Sequence, residues 1–366
     1  MKKLFSFRLL AAVLVLCACS TAQTETGQEE LTIVSWNVQN LFDGTDNGFE
    51  YDDFRNGGGW NNEKYQARLQ SITAALKETS ADILVLIEIE NEAVIRDLAE
   101  ISGLGYHWTF FAGKPDSPAG LGILSVLPLT ETRVHSFHSP DGSIPRPVAE
   151  VWVETNSGPL VLLGCHWKSK VEGEKKTEAI RQAGAALIVR RLAEIEAENP
   201  GTPVIILGDL NENHDEFMRI DAAYPCALLP DTEEAAMLAE KTLQSVRQGF
   251  QNFLVVSGEK PPRADFFAES SALYSPWFES DSDQSMPRSI RSANKGSYYY
   301  KDAWETIDHF LLNAALFGAD GWNYEYFRVL AEIPFTSEAG FPYTYNPRTG
   351  SGLSDHLPIL LNLVHK

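Results

Sequence analysis

LTIVSWNVQN, residues 31–40, decides how the chain folds. Leu31 to Trp36 is an apolar, β-branched run with the composition of a buried strand, and it breaks off at the polar residue Asn37. The same arrangement recurs along the chain. Glu88 and Glu90 end the run ADILVLI, His166 follows LVLLGC, and Asp209 and Asn211 follow VIILG. Asp308 and His309 come after a Trp/Thr/Ile stretch, and Asp355-His356 precede LPILL. Six strand ends bearing Asn, Glu, His and Asp supply what one rim of a sheet needs to hold a hard metal ion and a phosphate.

Between these ends the pattern alternates between helix and strand. Asp43 to Gly59 is a Gly/Asp/Asn-rich surface loop. Tyr65, Leu69, Ile72 and Leu76 recur at helical spacing behind Asn61 and Asn62, which can cap a first turn. A strand over Ile83–Ile87 and a helix from Glu92 to about Ile101, stopped by Gly103 and Gly105, come next. Tyr106–Phe111, Leu121–Val126, Thr132–Phe137, Val148–Thr155 and Leu160–His166 read as closely spaced strands that pair antiparallel. A long helix containing Ile180, Leu187 and Ile195 runs to Pro200-Gly201, and Val204–Leu207 is a further buried strand. The stretch from Glu212 to about Gly296 reads as an insertion, with a helix near His214–Ala222 and a strand at Phe253–Val256. Thr306–Leu312, Tyr324–Leu330 and Leu357–Leu363 read as late strands, which together gives an α/β class with helices covering sheet faces.

Six segments, VSWNVQNLFD, ADILVLIEIEN, GCHWKS, ILGDLNE, TIDHFLL and SDHLPI, occur in this order, and in them the chain resembles the endonuclease/exonuclease/phosphatase superfamily. The first segment is closest to those of extracellular bacterial nucleases. The resemblance implies a four-layered α/β/β/α sandwich with two central mixed sheets. It implies that Glu88 binds a divalent cation, Mg²⁺ with Mn²⁺ as the alternative, and that Asn37 and Asp355 help to hold it directly or through water. Asp209 and Asn211 match the pair that orients the attacking water and binds the scissile phosphate. Asp308 matches the carboxylate that orients His356, and His166 matches a second histidine found in some branches. Where the superfamily usually has Gln before the metal-binding Glu, this chain has Ile87, which puts a supporting hydrogen bond in doubt.

Singly, these residues have ordinary readings: Asn37 in a turn, His166 satisfied within a sheet, Asp209 as a cap, Asp308 as a surface acid. Their joint presence in ordered motifs favours the site. Glu90 shares a face with Glu88 by strand alternation and reads as a supporting or solvated carboxylate. Either His356, made basic by Asp308, or Asp209 can take the proton of the attacking water, and the sequence leaves both open. His166 and Asn211 would donate hydrogen bonds to the phosphate, with His166 also placed to protonate the leaving oxygen. Trp36, Trp167 and Trp304 read as walls of the site, Tyr298–Tyr300 as half-buried packing, and the acidic run Glu194–Glu198 as a solvated helix face.

Lys2, Lys3 and Arg8 followed by a short apolar run form an export signal over residues 1–18. Leu16-Cys17-Ala18-Cys19 resembles a lipobox, so Cys19 is the expected acylated anchor, residues 19–30 a polar tether and 31–366 the enzymatic domain. This places the protein outside the cytoplasm, held to the bacterial cell envelope through lipid. Cys165 and Cys226 read as two buried free thiols rather than a disulfide. A formal charge of −20 excludes a bulk nucleic-acid-coating role but leaves room for an enzyme that meets one phosphate through a metal and a few local cations. Arg288, Arg291 and Lys295 are candidates for such cations. The reading is thus an extracellular nuclease with nucleic acid as substrate. A phosphatase or sphingomyelinase-like enzyme, whose membrane loop would be Phe335–Tyr345, and a silent surface binding protein are the alternatives.

Overall fold

The computed structural model describes residues 29–115, 117–245, 252–267, 272–282 and 295–366. The expected signal and Cys19, and with them Arg288 and Arg291, lie outside these residues.

The strands in chain order are β1 (Glu30–Leu41), β2 (Ile83–Ile89), β3 (Trp108–Ala112), β4 (Gly120–Ser125), β5 (Leu129–His135), β6 (Val148–Thr155), β7 (Gly158–His166) and β8 (Val204–Asp209). They continue with β9 (Leu228–Pro230), β10 (Leu254–Ser257), β11 (Leu273–Tyr274), β12 (Tyr298–Tyr300), β13 (Ala303–Glu305), β14 (Asp308–Leu312), β15 (Trp322–Val329) and β16 (Ile359–His365). The helices are α1 (Asn62–Lys77), α2 (Glu92–Ser102), α3 (Glu174–Glu198), α4 (Glu216–Arg219), α5 (Glu233–Ser245) and α6 (Trp277–Ser282).

Two sheets face one another. The first has the order β15-β16-β1-β2-β4-β3, the second β5-β6-β7-β8-β14-β11-β10-β9. Both are mixed: β1 runs parallel to β2 and antiparallel to β16, and β7 runs parallel to β8, which is antiparallel to β14. Period-two alternation sorts the second sheet's side chains into two cores. Leu160, Leu162, Ile205, Leu207 and Phe310 pack toward the first sheet, while Val161, Leu163, Cys165, Ile206 and Leu311 pack with Ile188 and Ile195 of α3. Helices α1 and α2 cover the other side of the first sheet, so the four-layered α/β/β/α sandwich is the observed architecture.

Local chemistry explains the helix ends. Asn61 accepts the Lys64 amide at 3.0 Å and Asn91 the Val94 amide at 3.1 Å, capping α1 and α2, and α2 stops at Gly103 with φ 63°. Two expectations change. The strands from Trp108 to His166 do not form one antiparallel run, because the chain leaves the first sheet after β4 and enters the second at β5. The presumed insertion contributes β9, β10 and β11 to the second sheet, and only Glu216–Arg219 of the expected 214–222 helix is helical. Cys165 and Cys226 are free and buried. Among the described residues, no helix is long and apolar enough to cross a membrane.

Candidate active site

Register puts the functional side chains side by side. His166 pairs with Asp209 across β7–β8, and Asp209 pairs with Asp308 across β8–β14, so three strands of the second sheet end at one level. Gly208 is needed there. Its φ is 124°, and a Cβ would lie 2.0 Å from the Cys165 carbonyl oxygen, so only glycine lets β8 approach β7 just before Asp209. The first sheet brings Asn37 on β1 and Glu88 on β2 to the opposite side of the same cleft.

Burial of Ile33, Val34, Trp36, Val38 and Leu41 anchors β1, at ~1.5–3 kcal/mol for each large side chain, which outweighs the cost of burying Asn37 between them. Asn37 is not left unsatisfied. Its Nδ2 donates to Glu88 Oε1 and Asp209 Oδ2, both at 3.2 Å, and its Oδ1 accepts the Gln39 amide at 3.0 Å. Glu88 has φ 67°, and the register of β2 with both neighbours shifts at this residue. A bulge therefore aims its carboxylate, whose Oε2 accepts the Asn40 amide at 3.0 Å. The same break overrides the alternation that would pair Glu88 with Glu90. Glu90 instead accepts the Asp43 amide at 2.6 Å, and burial, with Asp43 and Glu50 nearby, pushes its carboxyl up to about 7.

On the other side, His356 Nδ1 lies 2.8 Å from Asp308 Oδ2, which also accepts Ser297 Oγ at 2.6 Å. Trp36 Nε1 donates to the His356 carbonyl at 3.0 Å, and Ser354 Oγ donates to the Asn37 carbonyl at 2.6 Å, so β1 holds the SDH turn in place. The Asp355 amide donates to Gln39 Oε1 at 3.0 Å. Asn211, at φ 53°, donates through its backbone N–H to Asp209 Oδ1 at 3.0 Å and through Nδ2 to the Trp167 carbonyl at 3.2 Å. His166 Nε2 is 3.8 Å from Asp209 Oδ2 and 3.9 Å from Glu88 Oε1, and its buried Nδ1 has no partner among the described residues.

The charges sort these groups. Burial lifts Glu88 above the usual carboxylate range, and the neighbouring Asp355 carboxylate lifts it further. Burial, then the Asp308 and Glu88 carboxylates, push Asp209 up to about 7. Burial would lower His356, but the Asp308 carboxylate beside it holds the imidazole well above its ordinary value. His166 goes the other way: burial, then the charges of Arg146 and His356, keep it well below. At neutral pH the cleft therefore contains one imidazolium, His356, and one neutral imidazole, His166.

A divalent cation fits this donor set. The Asp355 carboxylate raises the cost of charging Glu88, a cost that a cation bound there would offset, and both offer hard oxygen ligands. Ligand atoms of Asp209, Asp308 and His356 also come within 4.8 Å of one another. In that trio His356 Nδ1 is already bonded to Asp308 Oδ2, which orients the imidazole, while Asp308 Oδ1 is buried with no partner among the described residues. Both groups of residues could therefore hold a cation, the Glu88–Asp355 side with oxygen ligands alone.

Ser297, Gln39, Ser354 and Arg68 were not singled out by sequence. Arg68 of α1 is fully buried and donates to the Val38 and Leu353 carbonyls at 2.5 Å, pinning the turns that follow Asn37 and precede Asp355. No motif marks it, although a lone arginine on the apolar face of a helix is an available signal. Trp167 is not a wall of the site, because it packs against α3 beside Gly184. Tyr298 does flank the site, with its ring 4.6 Å from that of His356. Lys295 is exposed, and no ion pair involving it is found among the described residues.

Solved structures share this fold. TDP2 from Caenorhabditis elegans shares 16% identity at a TM-score of 0.51, over 92% of this chain and 97% of its own. An endonuclease/exonuclease/phosphatase family protein from Bacteroides thetaiotaomicron shares 15% at 0.51, over 92% and 96%. The human Nocturnin catalytic domain, solved with bound sulfate anion, shares 16% at 0.50, over 92% and 95%. These likenesses speak for the fold. Comparison with curated proteins returns no match. The family model described as "Endonuclease/Exonuclease/phosphatase family" matches residues 32–220, more than half of the chain. The chain belongs to the endonuclease/exonuclease/phosphatase family, whose members are metal-dependent phosphoesterases.

Proposed function

We propose that this protein is an exported, lipid-anchored phosphodiesterase that cleaves nucleic acid with little sequence preference. The observation that carries the chemistry is the convergence of Asp209, the His356–Asp308 pair and the Glu88 carboxylate on one cleft between two sheets, with Asn37 bonded to both Asp209 and Glu88. Export and the lipid on Cys19 rest on the sequence alone.

Glu88 and Asp355, with Asn37, would hold a divalent cation, Mg²⁺ or Mn²⁺, which would supply positive charge against the phosphoryl oxygens. Asp209, basic near neutral pH, takes the proton of the water whose oxygen attacks phosphorus, and the bond from phosphorus to the leaving oxygen breaks. His356, an imidazolium, gives the leaving oxygen its Nε2 proton from the nitrogen that Asp308 leaves free, and its positive charge faces the charge that builds on the phosphoryl group. Neutral His166 contributes an N–H hydrogen bond rather than a proton. Asn211 fixes Asp209 by donating its backbone N–H to Oδ1.

The lipid-substrate alternative is less well supported by packing. Phe335 and Tyr345, at the two ends of the candidate membrane loop, are buried, Phe335 edge-on against Trp36 with ring centroids 5.4 Å apart, and of the exposed rings between them Phe341 packs on Tyr299 at 4.5 Å, which leaves Tyr343 as the exposed ring with no ring partner among the described residues. The deciding experiment incubates the purified protein in Mg²⁺ or Mn²⁺ with plasmid, RNA, bis(4-nitrophenyl) phosphate and a panel of phosphomonoesters. Nicking of plasmid or decay of RNA, abolished by chelator, is the expected result. Hydrolysis confined to monoesters, or undiminished in excess chelator, would overturn the proposal.

A further inference from the structure

A second cleft, of about 380 Å³, opens beside the site and shares His166 with it as a common wall. Its other charged lining residues are Lys114, Asp141, Arg146, Lys168 and Glu172. Two of these five charges cancel, because Lys168 and Glu172 form a salt bridge. Asp141 is engaged with its own turn, accepting Ser139 Oγ and the Ser143 amide. Lys114 and Arg146 contact only carbonyl oxygens among the described residues. Lys114 Nζ donates to Ile144 at 3.1 Å and Arg146 Nη1 to Trp167 at 3.5 Å, with no carboxylate partner for either. In a chain with 50 acidic and 30 basic side chains, two cations on one concave wall that have no ion-pair partner among the described residues are out of character with the surface around them, and the charge of Arg146 reaches Glu88 and His166 in the site next door.

The backbone presents Arg146 ready-made. Pro145 and Pro147 flank it, which restricts the main chain on both sides, and the Ser139–Ser143 turn behind it closes with a 2.9 Å amide-to-carbonyl bond. Lys114 ties its own loop to this one through the Ile144 carbonyl. Less freedom is therefore lost when an anion arrives than at a flexible surface arginine. The guanidinium keeps donors beyond the one spent on Trp167, in the planar fork that suits a phosphate.

We propose that this cleft binds a second phosphate of the substrate, one nucleotide away from the phosphate being cleaved, through Arg146 with Lys114. The inference rests on the phosphodiesterase reading and narrows it. The preferred substrate is a polynucleotide, or an oligonucleotide carrying a terminal phosphate, rather than any isolated phosphodiester. Because His166 belongs to both clefts, the second phosphate is held next to the scissile one and not at a remote surface.

The test uses three substrates with the full protein: thymidylyl-thymidine with a single internal phosphodiester, and the same dinucleotide with an added 5′-phosphate or 3′-phosphate. Bis(4-nitrophenyl) phosphate, which has no second phosphate, is the reference. The unaltered protein should favour one of the phosphorylated dinucleotides in kcat/KM by about tenfold, the size of one charge-assisted hydrogen bond. Arg146→Ala and Lys114→Ala should bring that ratio toward one, chiefly through KM, while Arg146→Lys retains part of it. Melting curves of the variants separate this from unfolding. No preference in the unaltered protein, or an undiminished one in both alanine variants, overturns the second-phosphate site. If the reference diester and all dinucleotides resist hydrolysis, the phosphodiesterase reading itself has failed, and the second-phosphate site falls with it.

Discussion

One amide group, Asn37 Nδ2, lies 3.2 Å from Glu88 Oε1 on its own sheet and 3.2 Å from Asp209 Oδ2 on the facing sheet. Asn37 thus sets the spacing between a candidate metal ligand and the proposed base. Asn37→Ala should leave two buried carboxylates without a shared donor and lower kcat by about a hundredfold, the lower end of what one positioned polar group supplies. Its melting temperature should fall by only a few degrees. A variant with unchanged kcat would show that the two carboxylates are positioned by something else.

The His356–Asp308 pair predicts an ordering of losses and a direction in pH. His356→Ala should reduce turnover by ~10²–10⁴-fold. Asp308→Asn should cost less, since the imidazole remains, but it removes the main influence that raises the His356 value. A group that works as an imidazolium loses its contribution as pH rises through its own value. The alkaline limb of the rate profile should therefore move to lower pH in Asp308→Asn. An unmoved limb would assign that ionisation elsewhere.

Metal dependence can be read apart from turnover. Glu88→Gln preserves size and removes one negative ligand, so activity at low Mg²⁺ should drop and partly recover at high Mg²⁺. Because a ligand that binds only the folded state stabilises it, Mg²⁺ should also raise the melting temperature of the unaltered protein more than that of Glu88→Gln. Equal shifts in the two proteins would place the cation away from Glu88.

Acid stability should depend on a buried carboxylate far from the chemistry. Glu150 on β6 is fully buried and accepts from Arg191 Nε at 2.6 Å, Arg191 Nη2 at 3.1 Å and Trp152 Nε1 at 2.7 Å, with His135 Nε2 2.7 Å away. Burial would raise it, but these partners hold it far below the usual carboxylate range. A lowered folded value means stabilisation in full above the unfolded value, about 4.3, and progressive loss as pH falls toward the folded one. Glu150→Gln should cost ~3–5 kcal/mol at neutral pH and flatten the acid side of the stability curve. Urea titrations at several pH values measure both, and parallel curves for the two proteins would contradict the assignment.

Anchoring is separable from catalysis. Cys19→Ser should shift the protein from the membrane fraction to the soluble fraction without changing hydrolysis. Continued membrane fractionation with palmitate labelling would show that the anchor lies elsewhere.

The fold and the site were legible in the sequence to different degrees. Strand ends were plain, because a run such as VIILG can only be buried and a carboxylate directly after it must emerge at a rim; Asp209 and His166 do so at the same level. The aim of Glu88 was not legible. Alternation assumes an unbroken strand, whereas a bulge there turns the backbone to φ 67° and separates Glu88 from Glu90. Supporting groups were hidden for another reason. Gln39 and Arg68 act through partners about three hundred residues away, and Ser297 reaches Asp308, 11 positions on, across the paired strands β12 and β13, so no local pattern encodes these pairs. In the 212–296 stretch the strand at Phe253–Val256 is found as β10, whereas β9 and β11 were missed because three and two residues are too short to show a period.

The antiparallel pairing of β1 with β16 makes the candidate site a seam between distant parts of the chain. Trp36 and His356, joined by a 3.0 Å hydrogen bond, are 320 positions apart, so the seam closes only when β1 meets the turn that precedes β16. An incomplete translation product can hold Glu88, His166 and Asp209 and still lack the histidine that completes the set. Contacts of such long range also slow folding.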